Sequence, residues 1–299
     1  MVKIDMIWKV AYRTESIRLL YVFSFHKTHE TKNPDREEII VLEASNEVTE
    51  ALGVVNEIKE LVERGDYDYK DIAVLYRCNF QSRVAEEAFL QHKIPYHIAN
   101  GLSFYDRREV KILLDYLRVI SNPESEAGDE ALKNIINVPN RYLGRKFIQE
   151  LGQFAFKRDS YLYTALRSMP IKLTYLRKNV KEFTGLLDPL IEDAENLQPA
   201  ELINLLRVTL DYDRHITDED IPSPDDVKIS NLNQLQLAAA RYNDIEAFLS
   251  YTETFQDESI CDNKEGVSLM TVHKAKGLEF SVVFVVGMIE GLMPTKKTE

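Results

Sequence analysis

Only two cysteines, Cys78 and Cys261, stand in 299 residues. So few exclude a disulfide framework, and no four Cys and His residues are spaced for structural zinc. A reducing, cytoplasmic setting is the default expectation. No apolar run approaches the roughly 18 residues of a membrane span, and the start MVKIDMIWKV has neither a long apolar core nor a small-residue cleavage site. The chain is expected to act without a membrane. No glycine is followed by lysine. A G-x-x-x-x-G-K-[ST] loop, whose amides and lysine hold nucleotide phosphates, is therefore missing from these residues. None of the three Asp-Glu pairs (129–130, 218–219, 257–258) follows the apolar strand that a Walker B acid requires.

An overall basic excess is also lacking, since the net charge is -12. The charge is uneven, however. Residues 141–181 hold ten Lys and Arg against two Asp and Glu, and residues 182–226 hold two Arg against thirteen acids. Such asymmetry can steer a polyanion to one face of an acidic molecule, although two solvated helix faces of opposite sign would give the same pattern.

What is present at the beginning alternates strand and helix. EIIVLEA (38–44), DIAVLYR (71–77) and IPYHIA (94–99) read as strands. Between them, Ala51, Leu52, Val55, Ile58 and Val62 form a helical stripe ending before Gly65, and helix 81–92 carries Val84, Ala85, Ala88 and Phe89 on one face. This order predicts an α/β domain with a parallel sheet and covering helices. From Asp106 the period changes to helix. DRREVKILLDYLRVI opens with a D-x-x-E capping box (Asp106, Glu109) and stops at Asn122-Pro123. Further helices are predicted at 129–137, 145–157, 172–196, 199–212 and 227–255. Strand character returns at VSLMTV (267–272) and SVVFVVG (281–287). The chain thus reads as an α/β domain interrupted by an all-helical insertion, with boundaries 1–104, 105–265 and 266–299.

HKAKGLEF, the connection between the last two strands, begins where VSLMTV ends, and ligands of open α/β sheets bind beyond the carboxyl ends of strands. Gly277 permits a tight turn or close backbone approach, Lys274 and Lys276 can meet phosphates, and Thr271 and His273 offer donors to a nucleic-acid backbone. Glu279 suits a ribose hydroxyl. The connection is short for a parallel crossover, so a wide hairpin with a solvated loop is the alternative. In VPNRYLGRKF, Gly144 at a helix start exposes backbone N–H groups beside Arg141, Arg145 and Lys146, a combination suited to phosphate. A helix–turn–helix packing corner would explain the same residues.

VSLMTVHKAKGLEFSVVFVVGMIEGLMP resembles motif V of the superfamily 1 DNA helicases of the UvrD, Rep and PcrA type. DIAVLYRCNFQSRVAEEAFLQHKIPYHIANGLSFYDRREVKILLDYLRVISNP is similar to motif IVa and the entry to the 2B subdomain, and INVPNRYLG to that subdomain's duplex-contacting loop. The family's members are ATP-driven 3′ to 5′ translocases on single-stranded DNA, whose RecA-like 1A and 2A domains clamp ATP with Mg2+. The resemblance implies that the sheet is 2A and the helical insertion 2B. Thr271, His273 and Lys276 would face the DNA backbone, Gly277 and Glu279 the nucleotide, and Arg77, Asn79 and Arg83 the single strand. Arg83 could equally serve as a helix cap or ion-pair partner. Gly144, Arg145 and Lys146 would meet duplex DNA, although Tyr142-Leu143-Gly144 replaces the family's Gly-Ile-Gly. Phe104 and Tyr105 could stack on bases or anchor the junction as core. AYRTESIRLL resembles motif IV, which would make Arg13 an arginine finger, with Ala11 in place of the usual Asn. The expectation is a 2A/2B portion that needs the 1A and 1B domains and hydrolyses no ATP alone. The alternative is a stand-alone DNA- or protein-binding module.

Overall fold

The computed structural model describes residues 18–24, 40–99, 101–217, 227–256, 263–289 and 292–293. It divides into two compact units, one of residues 1–104 with 254–299 and one of residues 105–253.

The first unit is built on a six-stranded sheet: β1 (Arg18–Ser24), β2 (Ile40–Ala44), β3 (Ile72–Tyr76), β4 (Tyr96–Ile98), β5 (Val267–Thr271) and β6 (Val282–Met288) in the order β2-β1-β6-β3-β5-β4. β6, β3, β5 and β4 are mutually parallel, whereas β1 runs antiparallel to both β2 and β6. The sequence reading missed β1, which separates β2 from the parallel block. β5 and β6 flank β3 and both run parallel to it, so HKAKGLEF is a short parallel crossover and not the wide hairpin.

Local chemistry explains these elements. All five residues of β3 are buried, as expected for the continuous apolar run of a central parallel strand. Helix α1 (Glu47–Glu63) is capped by Asn46, whose side chain accepts from the amide of Thr49 at 2.9 Å. With α2 (Ser82–Gln91), it covers one face of the sheet: Val54, Val55, Ile58, Val84, Ala88 and Phe89 pack with Ile72, Val74, Tyr76, Leu269 and Phe284. The other sheet face presents Ala73, Leu75, Met270 and Val283, and Ala275 from the crossover packs onto them. Period two in the strands thus sends alternate residues to two different cores.

The second unit is helical: α3 (Arg108–Ser121), α4 (Glu126–Ile135), α5 (Arg145–Arg158), α6 (Leu162–Ser168), α7 (Thr174–Glu192), α8 (Pro199–Thr209), α9 (Tyr212–Thr217), α10 (Val227–Ala239) and α11 (Ile245–Glu253). Central α3 buries Val110, Leu113, Leu114 and Leu117 against α4, α7, α8, α10 and α11. The expected Asp106–Glu109 capping box does not form. The cap residue is Arg107, without a side-chain cap, and the Glu109 carboxylate accepts instead from buried Asn231, whose oxygen accepts from Arg107 at 2.8 Å. Two predicted helices are broken. Residues 199–212 turn at Asp211, which takes φ 47, letting Tyr212 insert and donate to the Glu109 carbonyl at 3.1 Å. Residues 227–255 restart at Asp244, whose carboxylate accepts from the Ala247 amide at 2.8 Å. Helix α6 was not foreseen.

Candidate nucleic-acid interface

The parallel strands β3, β5 and β4 end on the same side of the sheet, so the segments following them share one rim. The crossover begins with Thr271, whose carbonyl accepts from the amides of Lys274 at 2.9 Å and Ala275 at 3.1 Å. This turn points Ala275 into the sheet, leaving His273, Lys274, Lys276, Gly277, Leu278 and Glu279 exposed. Gly277 has φ 85, a conformation an L side chain rarely adopts, and nothing lies within 4 Å of where its Cβ would be. Its backbone is open to a ligand. Two residues on, the Glu279 carboxylate is exposed on the same loop.

After β3, the chain makes a 3-10 turn at Asn79–Gln81 before entering α2. Gln81 organises it. Its side-chain oxygen accepts from the amides of Arg77 at 3.0 Å and Cys78 at 2.8 Å. Arg77 is thereby set to reach across to β5's loop, where its Nη1 lies 2.9 Å from Nδ1 of His273. Asn79 is exposed on the same turn. Burial pushes the Cys78 thiol pKa up, so it offers no ready thiolate nucleophile.

Arg77, Asn79, Thr271, His273, Lys276, Gly277 and Glu279 therefore come together on one rim. Arg83 does not join them. It is 1% exposed and ion-paired with Glu87 at 2.6 Å, so its charge is consumed inside α2 and cannot meet a single strand; this corrects the expectation. Phe104 and Tyr105 are also core residues, 0% and 5% exposed, which removes them as base-stacking platforms. The Phe104 amide donates to the buried Glu86 carboxylate at 3.2 Å, and Ser103 donates to the same group. Arg13 lies outside the described residues.

Three contributors escaped sequence reasoning: Gln81, Gly287 and Glu50. Gly287 takes φ 68 near the end of β6, and any Cβ there would overlap the Gln81 amide. Its own amide donates to buried Glu50 of α1 at 2.8 Å. Glycine within an apolar strand run is the signal of close approach that could have found it.

In the helical unit, the loop between α4 and α5 is tightly framed. Asn137 Oδ1 accepts from the amides of Arg141 at 2.9 Å and Leu143 at 3.0 Å. The Arg141 guanidinium faces inward, donating to the Ile135 and Pro139 carbonyls at 3.2 Å each and to Tyr116 Oη at 2.9 Å, and it lies over the Phe183 ring. It is a structural brace. Arg145 and Lys146, by contrast, are exposed in the first turn of α5, beside the cap residue Gly144.

Among the described residues, no helix is long and apolar enough to cross a membrane, and no cluster of His, Cys, Asp and Glu could hold a metal ion. A family model described as the UvrD-like helicase C-terminal domain matches residues 7–299. The chain is 34% identical over 276 residues to the ATP-dependent DNA helicase PcrA of Staphylococcus epidermidis, covering 88% of this chain and 37% of that protein. It is 33% identical over 275 residues to PcrA of Staphylococcus aureus, with the same coverage of 88% and 37%. The chain thus spans little more than a third of the length of these relatives. An α/β sheet, parallel but for β1, interrupted by an all-helical insertion, with a family match across nearly its whole length, makes this chain a member of the UvrD-like helicase C-terminal domain family.

Proposed function

We propose that the chain supplies the 2A and 2B portions of an ATP-dependent 3′ to 5′ DNA helicase or translocase. The sheet unit is 2A and the helical unit 2B. Arg77, Asn79, Thr271, His273 and Lys276 form part of a single-strand track, while Gly277 and Glu279 line one wall of an ATP cleft whose other wall is a 1A domain with its 1B insertion. ATP binds with Mg2+, its phosphates held by the P-loop of that partner domain. By itself, the chain hydrolyses no ATP. Gly144, Arg145 and Lys146 contact duplex DNA.

The observation carrying this reading is the Arg77–His273 contact at the carboxyl ends of adjacent parallel strands. It unites the two motifs of the family resemblance in one polar rim, and the crossover that holds His273 also holds Gly277 and Glu279. A single short segment thus faces both prospective ligands, which suits it to couple nucleotide state to grip on DNA. The relatives' name as ATP-dependent DNA helicases supports the same assignment.

Reconstitution tests it. Mixed with a P-loop-bearing 1A/1B half, the chain should restore DNA-stimulated ATP hydrolysis, reduced at least tenfold by Glu279→Ala. No stimulation from a verified complex would refute the assignment. For the helical unit, a gel-shift titration of duplex DNA with a 3′ tail should show weak, salt-sensitive binding, lost on combining Arg145→Glu with Lys146→Glu. Binding indifferent to salt and to that pair would remove the duplex surface.

A further inference from the structure

We infer that Tyr142 stacks on an exposed base at the end of a DNA duplex while Arg145 and Lys146 hold the adjoining phosphates, an inference resting on the duplex-facing reading of the α4–α5 loop. Tyr142 takes φ 59, in the left-handed region where glycine sits without strain and a tyrosine does not. Its burial does not offset that strain, because the residue is 72% exposed. Lys93 and Asp159 also combine positive φ with exposure, but each closes a helix; Tyr142 closes none, so its conformation is left for a contact outside the chain.

The frame around it is fixed. Asn140 Oδ1 accepts from the Tyr142 amide at 3.0 Å, Asn137 clamps the amides of Arg141 and Leu143, and Leu143 is fully buried. From α7, Asn179 donates to the Arg141 carbonyl at 2.8 Å, so the residue before Tyr142 is held from both sides. The ring therefore projects from a rigid tip. One helical turn before Asn179, on the same face of α7, Tyr175 is a second exposed aromatic, 54% exposed.

Charge identifies the occupant. From Tyr142 to Gln149 the chain carries two exposed cations, Arg145 and Lys146, and no acid, and residues 141–181 hold ten Lys and Arg, the inward-facing Arg141 among them, against two Asp and Glu. A polyanion with flat apolar faces matches this surface better than a protein groove does. Within a continuous duplex, each base has both faces covered by its neighbours. Only a terminal or unpaired base offers a face to a single ring on a narrow tip.

Binding of this chain to a fluorescent duplex with one open end and a 2-aminopurine at that end tests the inference. Tyr142→Gly should melt at the same or a higher temperature yet bind the open-ended duplex about five- to 150-fold more weakly, the range expected for one lost base–aromatic stack. Native protein should quench the 2-aminopurine, Tyr142→Phe should do so too, and Tyr142→Gly should not. A covalently closed circular duplex, which has neither an end nor an unpaired base, should bind native and Tyr142→Gly proteins equally. If Tyr142→Gly keeps native affinity and quenching while Arg145→Glu with Lys146→Glu weakens binding, the stacking role is wrong and the duplex surface stands. If neither variant changes binding, the duplex surface is wrong and the inference falls with it. A melting temperature that drops along with affinity would mark Tyr142 as a loop-shaping residue and overturn the inference.

Discussion

Arg77 Nη1 and His273 Nδ1 lie 2.9 Å apart although 196 positions separate them in the chain. The arginine donates and the imidazole nitrogen accepts, so each fixes the other's orientation. Alanine at either position should weaken binding of a single-stranded oligonucleotide by about tenfold or more, the lower end of the range of a charge-assisted hydrogen bond. The double variant should be little worse than the weaker single one, because residues acting as a unit are not additive. Fully multiplicative losses in a fluorescence titration would show two independent contacts.

Gly277 and Gly287 both have positive φ but differ in surroundings. Gly277→Ala meets open space and should cost only about 1 kcal/mol, from backbone strain alone. Gly287→Ala adds a clash with Gln81 and should cost about 2 kcal/mol or more. It should also loosen the Arg77 amide, visible as faster hydrogen exchange there. Equal denaturation midpoints for the two variants would contradict this ranking.

Removing one partner of the Arg83–Glu87 pair leaves an uncompensated charge in a helix that is buried throughout most of its length. Arg83→Met should destabilise the sheet unit by about 3–5 kcal/mol, and adding Glu87→Leu should recover most of that loss. Urea titration of both variants decides. Recovery would mark the pair as the source of the loss, and a loss that persists in the double variant would contradict it.

Asp115 is 3% exposed; burial raises its carboxyl pKa, against the lowering effects of Asn134 and Arg118. A folded value above the ordinary 3.8 means the native state binds the proton more tightly than the unfolded chain. The stability associated with that proton is fully present below 3.8 and is lost as pH rises through the raised folded value. Asp115→Asn should flatten this part of the stability–pH profile. Thermal melts of native and variant proteins from acid to neutral pH would show the difference in slope.

Legibility in the sequence followed locality. DIAVLYR, VSLMTV and SVVFVVG announced buried parallel strands by apolar continuity, and α3 by its stripe. Strand β1 was illegible because its partners are β2 and, far along the chain, β6. The breaks at Asp211 and Asp244 were missed because overall helical periodicity continues across them, while the turn chemistry is confined to one residue. HKAKGLEF stood out through its local polar density. Gln81, Gly287 and Glu50 did not, since each is ordinary in its own segment and acquires a role only through a neighbour distant in sequence. Arg83 misled, although Glu87 at i+4 was a visible hint of the ion pair.

The strand order carries a consequence for biosynthesis. The sheet neighbours of β3 are β5 and β6, both of which follow the eleven α-helices of the described residues. On the ribosome, a nascent polypeptide that has already released its helical module would still carry a fully apolar segment with both hydrogen-bonding edges unoccupied. Such a species is a natural client for chaperones, and premature termination anywhere before Val267 should yield an aggregating product.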